Sequence, residues 1–162
     1  MSFGVLGMAG LQLTGMKHST GGFNRSKATL FAENLAARMR TNTQAVESFA
    51  YSSYDSNGLN CGTKPAPYCQ ASKGVAAEVC SSTEMATFDL FSIACGNWSS
   101  AGQASDGVNN SLPNGRLQVS CDDTPCLANS NYTVLISWSE NTGQDGNEAS
   151  ASPKRVQVRF NP

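Results

Sequence analysis

The sequence predicts an α+β chain in which a long N-terminal helix packs on a small antiparallel β-sheet, with a disulfide-stabilised loop region between them. Three observations carry this. Apolar residues before residue 50 recur at intervals of three, four and seven. Those in the last third alternate with polar residues. Six cysteines, Cys61, Cys69, Cys80, Cys95, Cys121 and Cys126, all follow residue 60 amid turn-forming Gly, Ser, Asn and Pro. A chain of 162 residues holds one domain with a real core and is too short for two comfortable ones. Its parts divide at residue 50: residues 1–50 form the long helix, and 51–162 a globular head with a short second helix and the sheet.

The opening stretch GVLGMAGLQLTG raises the first question. From Phe3 to Leu13 the apolar run has eleven residues, which as a helix reaches roughly 16 Å, half of a hydrocarbon core about 30 Å thick. It cannot cross a bilayer alone. Nor is it a signal peptide, because nothing basic precedes it and Lys17 follows it. An ordinary core helix, a frayed terminus and the end of a membrane helix remain. Gly4, Gly7, Gly10 and Gly15 argue against the first, since each costs roughly 0.5–1 kcal/mol relative to alanine in a water-exposed helix. In lipid or within a bundle such glycines are accommodated, because neighbours satisfy the backbone and small residues let helices approach. Gly4, Gly7 and Gly10 lie along one ridge.

Beyond Gly21 and Gly22, a possible kink, helical periodicity resumes to about Ala50. Ala28, Ala32, Leu35, Met39, Val46 and Phe49 form a dry face for packing on the sheet, with Glu33, Arg40 and Glu47 on the far side. Forty-odd residues is long for a globular helix, which points to a helix shared between two environments. From Tyr51 to Val79 turn residues dominate, predicting a loop held by cysteines rather than by a core. Met85, Phe88 or Asp89, Leu90, Phe91, Ile93 and Trp98 then suggest an amphipathic helix ending at or soon after Gly96.

The last third reads as three strands. Leu117 and Val119 alternate in GRLQVSC; Tyr132, Val134, Ile136 and Trp138 in YTVLISWSE; Val156, Val158 and Phe160 in KRVQVRF. Their short connections favour an antiparallel meander over parallel crossovers. Six cysteines allow 15 pairings, so connectivity stays open; Cys121 with Cys126 is the simplest pair, across a turn of Asp122, Asp123, Thr124 and Pro125. Oxidised cysteines place the chain outside the cytoplasm. A zinc site is disfavoured because the spacings are too wide and the only histidine, His18, lies far away.

Charge and side-chain inventory disfavour several functions. Eleven Lys and Arg against twelve Asp and Glu give a formal charge of −1, so nothing draws the chain generally to nucleic acid or an anionic membrane. Lys17, Arg25, Lys27, Arg38 and Arg40 are basic but spread around the helix and interrupted by Glu33. A serine or cysteine nucleophile in the head has no evident imidazole base, and Asp122 with Asp123 reads as a turn pair, so no catalytic residue is assigned. ENTGQDGNE is oxygen-rich but lacks the D-x-D-x-D-G spacing of a calcium loop, so it reads as a solvated hairpin loop. No metal, cofactor or small-molecule substrate is expected.

The stretch GVLGMAGLQLTGMKHSTGGFNRSKATLFAENLAARMRTN resembles the N-terminal helix of the type IV pilus modification proteins, the PilV-type minor pilins. The most specific parts are GLQLTG, Gly10 to Gly15, and RSKATLFAENLAARMR, Arg25 to Arg40, with the TN that follows. SLPNGRLQVSC and YTVLISWSE are similar to head strands of the same family. The resemblance implies a type IV pilin fold, with the first half of the helix anchoring the subunit in the inner membrane and later packing in the filament core. Family members begin with a cleaved leader and an apolar segment bearing a glutamate near its start. This sequence shows neither, so the expectation is a chain lacking the leader and most of the membrane segment, with Met1, or Met1 and Ser2, added in cloning.

The resemblance further implies a structural role in priming pilus assembly and in a tip complex with other minor pilins, the major pilin and an adhesin. Val5, Leu6, Met8, Leu11 and Leu13 would pack against other pilin helices. Loops around Cys61 to Cys80 and Asn141 to Pro153 would face neighbouring subunits. The subunit would sit in the inner membrane with a periplasmic head and then in the extracellular pilus. Two alternatives stand beside this reading: a minor pseudopilin of a type II secretion system, and a ligand- or DNA-binding module exposed on a filament.

Overall fold

A computed structural model describes residues 3–127, 129–141 and 151–162, and the side chains of 19–127, 129–140 and 152–162. Helix α1 (Phe3–Thr41) runs for 39 residues, unbroken through Gly21 and Gly22, with Arg38 and Arg40 in its last turn, where cations suit the carbonyl end of the helix dipole. Ala28, Ala32, Leu35, Ala36 and Met39 are buried along one face. A run of Ala, Leu, Met, Glu and Arg favours helix by propensity, and the three-four spacing of its apolar members selects the buried side.

The helix stops at Asn42 instead of continuing to Ala50. The Asn42 side-chain amide donates to Ser82 O at 2.8 Å and to the Tyr51 hydroxyl at 3.2 Å, so it is anchored in the head while the backbone leaves helical geometry at φ −113°, ψ 56°. A short helix α2 (Thr43–Glu47) follows and buries Ala45 and Val46. Phe49, expected in the dry face, is not there. Its φ is +60° in the turn after α2, it is 37% exposed, and Tyr51 is the aromatic that enters the core, fully buried. The register shift follows from the early end of the helix: past Glu47 the 3.6-residue period no longer says which way a side chain points.

Strand β1 (Tyr54–Asp55) comes next, then α3 (Ser82–Cys95), β2 (Gly96–Trp98), β3 (Ala104–Asp106), α4 (Val108–Ser111), β4 (Arg116–Cys121), β5 (Tyr132–Asn141) and β6 (Ala151–Phe160). The main sheet has the order β1-β4-β5-β6, antiparallel throughout, and β2 with β3 forms a separate two-stranded sheet. Register puts Leu117 opposite Ile136 opposite Val156, and Val119 opposite Val134 opposite Val158, on the face that α1 covers. Leu117, Val119, Tyr132, Val134, Ile136, Trp138 and Phe160 are buried there against Ala28, Ala32, Leu35 and Met39. Alanines on the helix let it lie close to the strands.

Helix α3 begins with a capping box: Ser81 Oγ accepts from the Glu84 N–H, and the Glu84 carboxylate accepts from the Ser81 N–H at 2.8 Å. It ends at Gly96, whose φ is +91° and where an added Cβ would stand 1.7 Å from Ser105 O, so only glycine fits between α3 and β3. The expected one-sided helix is buried on two sides. Ala86, Leu90, Ile93 and Ala94 join the main core, while Phe88, Phe91 and Cys95 join a second cluster with Tyr68 and Trp98. The middle of the chain is therefore not held by cysteines alone. Tyr68 is fully buried, meets the Phe88 ring edge-on at 5.0 Å, and its hydroxyl accepts from the Trp98 N–H at 2.9 Å. Disulfides Cys61–Cys95 and Cys69–Cys80 close over this cluster, and Cys121–Cys126 ties the turn after β4.

Candidate assembly surface

The head grips α1 through an ion pair that the sequence does not announce. Arg38 Nη1 donates to Asp89 Oδ1 and to Ser92 Oγ, both at 2.9 Å, and Arg38 Nε donates to Asn34 Oδ1 at 2.8 Å. The other Asp89 oxygen accepts from the Tyr51 hydroxyl at 2.7 Å. Asp89 is 4% exposed while the Arg38 side chain keeps 28% of its surface, so it is the carboxylate that is buried, with its oxygens taken up by neighbours, the condition under which burial of charge is tolerated. Burial, and then the Asp89 carboxylate, push the Tyr51 hydroxyl well above its ordinary pKa, so it stays protonated and remains a donor. An open polar depression of about 370 Å³ lies beside this pair, lined by Thr41, Asn42, Ser81, Ser82 and Met85 among others. Its arginine, Arg38, is already engaged by Asp89 and Ser92.

At the other end of the described side chains, Glu140 of β5 meets the helix at Gly21, where an added Cβ would lie 3.3 Å from Glu140 Oε2. Trp138 Nε1 donates to Glu140 Oε1 at 2.9 Å and holds the carboxylate there. The absence of a side chain at Gly21 lets β5 come close to the helix. Between Gly21 and Thr41, one side of α1 is covered by the head and the opposite side is bare. Phe23 is 60% and Leu30 65% exposed, and Glu33 and Ala37 are exposed beside them. Residues 23, 30 and 37 are seven apart, so they form a nearly straight line along the helix. Lys27 stands over the Phe23 ring at 4.6 Å.

The expected site residues are distributed as follows. Val5, Leu6, Met8, Leu11 and Leu13 lie in α1, but their side chains are outside the described residues. Most of the Asn141 to Pro153 loop, and of ENTGQDGNE, also lies outside them. In the Cys61 to Cys80 loop, Val79 is 99% exposed. Lys17 lies outside the described side chains; among the described basic residues, Arg38 is locked on Asp89 and Arg40 lies over the Phe160 ring at 4.8 Å. Asp122 pairs with Arg159, and Asp123 accepts from Ser130 Oγ at 2.5 Å. Among the described residues, no group of His, Cys, Asp and Glu is placed to hold a metal ion, and no helix is long and apolar enough to cross a membrane.

Sequence reasoning missed Asn42, Tyr51, Tyr68 and the exposed line through Phe23 and Leu30. The last left a signal: Phe23 and Leu30 break the polar side of the amphipathic pattern seven residues apart. Tyr51 and Tyr68 left none, because they sit in irregular backbone without a period.

Comparison with known proteins bears on the same segments. The family model described as Tt1218-like, type IV pilin Tt1218, matches residues 10–91, half of the chain. No curated protein and no solved structure matches it. The match takes in α1 from Gly10 onward, the turn that carries Tyr51, the disulfide loop and most of α3, which are the parts that build the helix and its clamp. With a long helix cradled on an antiparallel sheet and three disulfides, the chain belongs to the Tt1218-like family of type IV pilins, structural subunits associated with the pilus.

Proposed function

We propose that this pilin is a minor pilin of the PilV type, which helps to prime pilus assembly and stands in a tip complex with other minor pilins, the major pilin and an adhesin. In this reading residues 1–50 are the spine, held in the inner membrane and later among other spines, and residues 51–162 are the head. Val5, Leu6, Met8, Leu11 and Leu13 make the upper part of the packing surface. The observation that carries the proposal is the bare side of α1 between Gly21 and Thr41, where Phe23 and Leu30 remain exposed while Ala28, Ala32, Leu35 and Met39 on the opposite face are buried against the head. Two large apolar side chains on one line of a helix are an interface in waiting, whereas scattered single ones are ordinary surface.

Copurification with each candidate minor pilin tests this directly. The expected result is a stable one-to-one complex with particular pilins, weakened about tenfold or more when Leu30→Glu puts a charge into the contact. Binding to no pilin, together with tight binding of a small ligand or of duplex DNA that weakens steeply with salt, would move the assignment to a filament-exposed binding module.

A further inference from the structure

Glu33 sits in the middle of the exposed line on α1, one turn from Leu30 and one turn from Ala37, and it is exposed. Other acids in the described residues have work within the chain. Asp55 pairs with Arg116, Glu78 with Lys64, Asp89 with Arg38, Asp106 with Lys73 and Asp122 with Arg159. Glu84 caps α3, Asp123 holds Ser130 and Glu140 holds Trp138. Among the described residues only Glu33 and Glu47 have neither an ion pair nor a hydrogen bond to their carboxylates, and Glu47 lies in α2, off the line. The helix offers Glu33 no cation of its own: positions three and four away are Leu30, Thr29, Ala36 and Ala37. Arg40, two turns on, is drawn to the Phe160 ring.

A helix docking on Phe23, Leu30 and Ala37 brings its axis to within about 8–10 Å of α1. Such a neighbour strips water from Glu33. An unpaired carboxylate in that position costs free energy, and a cation across the interface removes the cost. From this we infer that Glu33 is the partner-selecting residue of the α1 surface, and that the surface takes the helix of a different pilin-type subunit, with an apolar or small-residue seam and a Lys or Arg facing Glu33. A parallel, in-register second copy would set Glu33 against Glu33, which disfavours that self-pairing and favours a mixed contact. The inference rests on the assembly reading above and deepens it.

The test places the photo-cross-linking residue p-benzoylphenylalanine at Leu30 of the full chain in piliated cells and maps the adducts by mass spectrometry. Adducts are expected on the N-terminal helix of another pilin-type subunit, within a turn of a Lys or Arg. Glu33→Lys lowers their yield about tenfold, Glu33→Gln less, and changing the facing cation to Glu restores the yield in the Glu33→Lys background. Pilin-helix adducts whose yield ignores Glu33→Lys overturn the inference and leave the assembly reading standing, as do adducts only between copies of this chain. Absence of any pilin adduct overturns both. Head folding of the Glu33 variants is checked by their urea midpoints, which should match the parent because Glu33 is exposed and its carboxylate has no ion pair or hydrogen bond within the subunit.

Discussion

Arg38 reaches from a partly exposed position on α1 to the buried Asp89 carboxylate, which depends on that cation to be tolerated there. Arg38→Met leaves Asp89 buried with only the Tyr51 hydroxyl and should cost about 3 kcal/mol, because an uncompensated buried charge is worse than no charge at all. Replacing both, Arg38→Met with Asp89→Leu, should recover much of that loss. Urea unfolding of the two single variants and the double variant checks this, with the m-value expected to stay constant. Asp55 tests electrostatics at the surface. Hydrogen bonds from Arg116 are the main reason its carboxyl is held down to about 2, from an ordinary value of 3.8. A depressed folded-state pKa means the stabilisation is present above pH 4 and is lost as the pH falls from about 4 to about 2. The pair is more than a third exposed, so solvent screening keeps its contribution small. The gap between parent and Asp55→Asn in urea midpoint should therefore be small at pH 6, smaller still at pH 2, and gone only below the folded-state value.

At the level of elements, the three disulfides close loops of different length, with sequence separations of 34, 11 and 5 for Cys61–Cys95, Cys69–Cys80 and Cys121–Cys126. Chain entropy predicts stabilisations of about 4, 3 and 2 kcal/mol in that order. Paired Cys→Ala substitutions, compared by thermal unfolding, should follow the ranking. The reverse order would mean that the aromatic cluster of Tyr68, Phe88 and Trp98, not the loop closure, dominates the middle of the chain. These elements also show what the sequence made legible. Periodicity marked the face of α1 from Ala28 to Met39, the body of α3 and the strands β4, β5 and β6, because burial on one side imposes a period on a regular backbone. It could not mark where α1 stops, since Asn42 ends the helix through partners 9 and 40 residues away. Phe49 was misplaced for that reason. The pairs β1 with β4 and β2 with β3 are two or three residues long, too short to carry a pattern. In the candidate site, Phe23, Leu30 and Glu33 were readable as residue types but not as a surface, because which side of a helix stays bare depends on where the head is.

For the molecule as a whole, the head accounts for only one side of its helix. The sheet, α3 and the Arg38 clamp hold one side of α1 from Gly21 to Thr41 and leave Phe23 and Leu30 on the other side uncovered. A spine held on one side and bare on the other is a part shaped for a larger assembly, which agrees with membership in a pilin family. The described cysteines are all in disulfides, so a new thiol can report on that side alone. The most direct measurement is maleimide labelling of Leu30→Cys in the isolated chain and in purified pili. Rapid labelling of the isolated chain and strong protection in pili is the predicted result. Equal labelling in both states would show that this side of the helix stays in water after assembly, and would contradict the account.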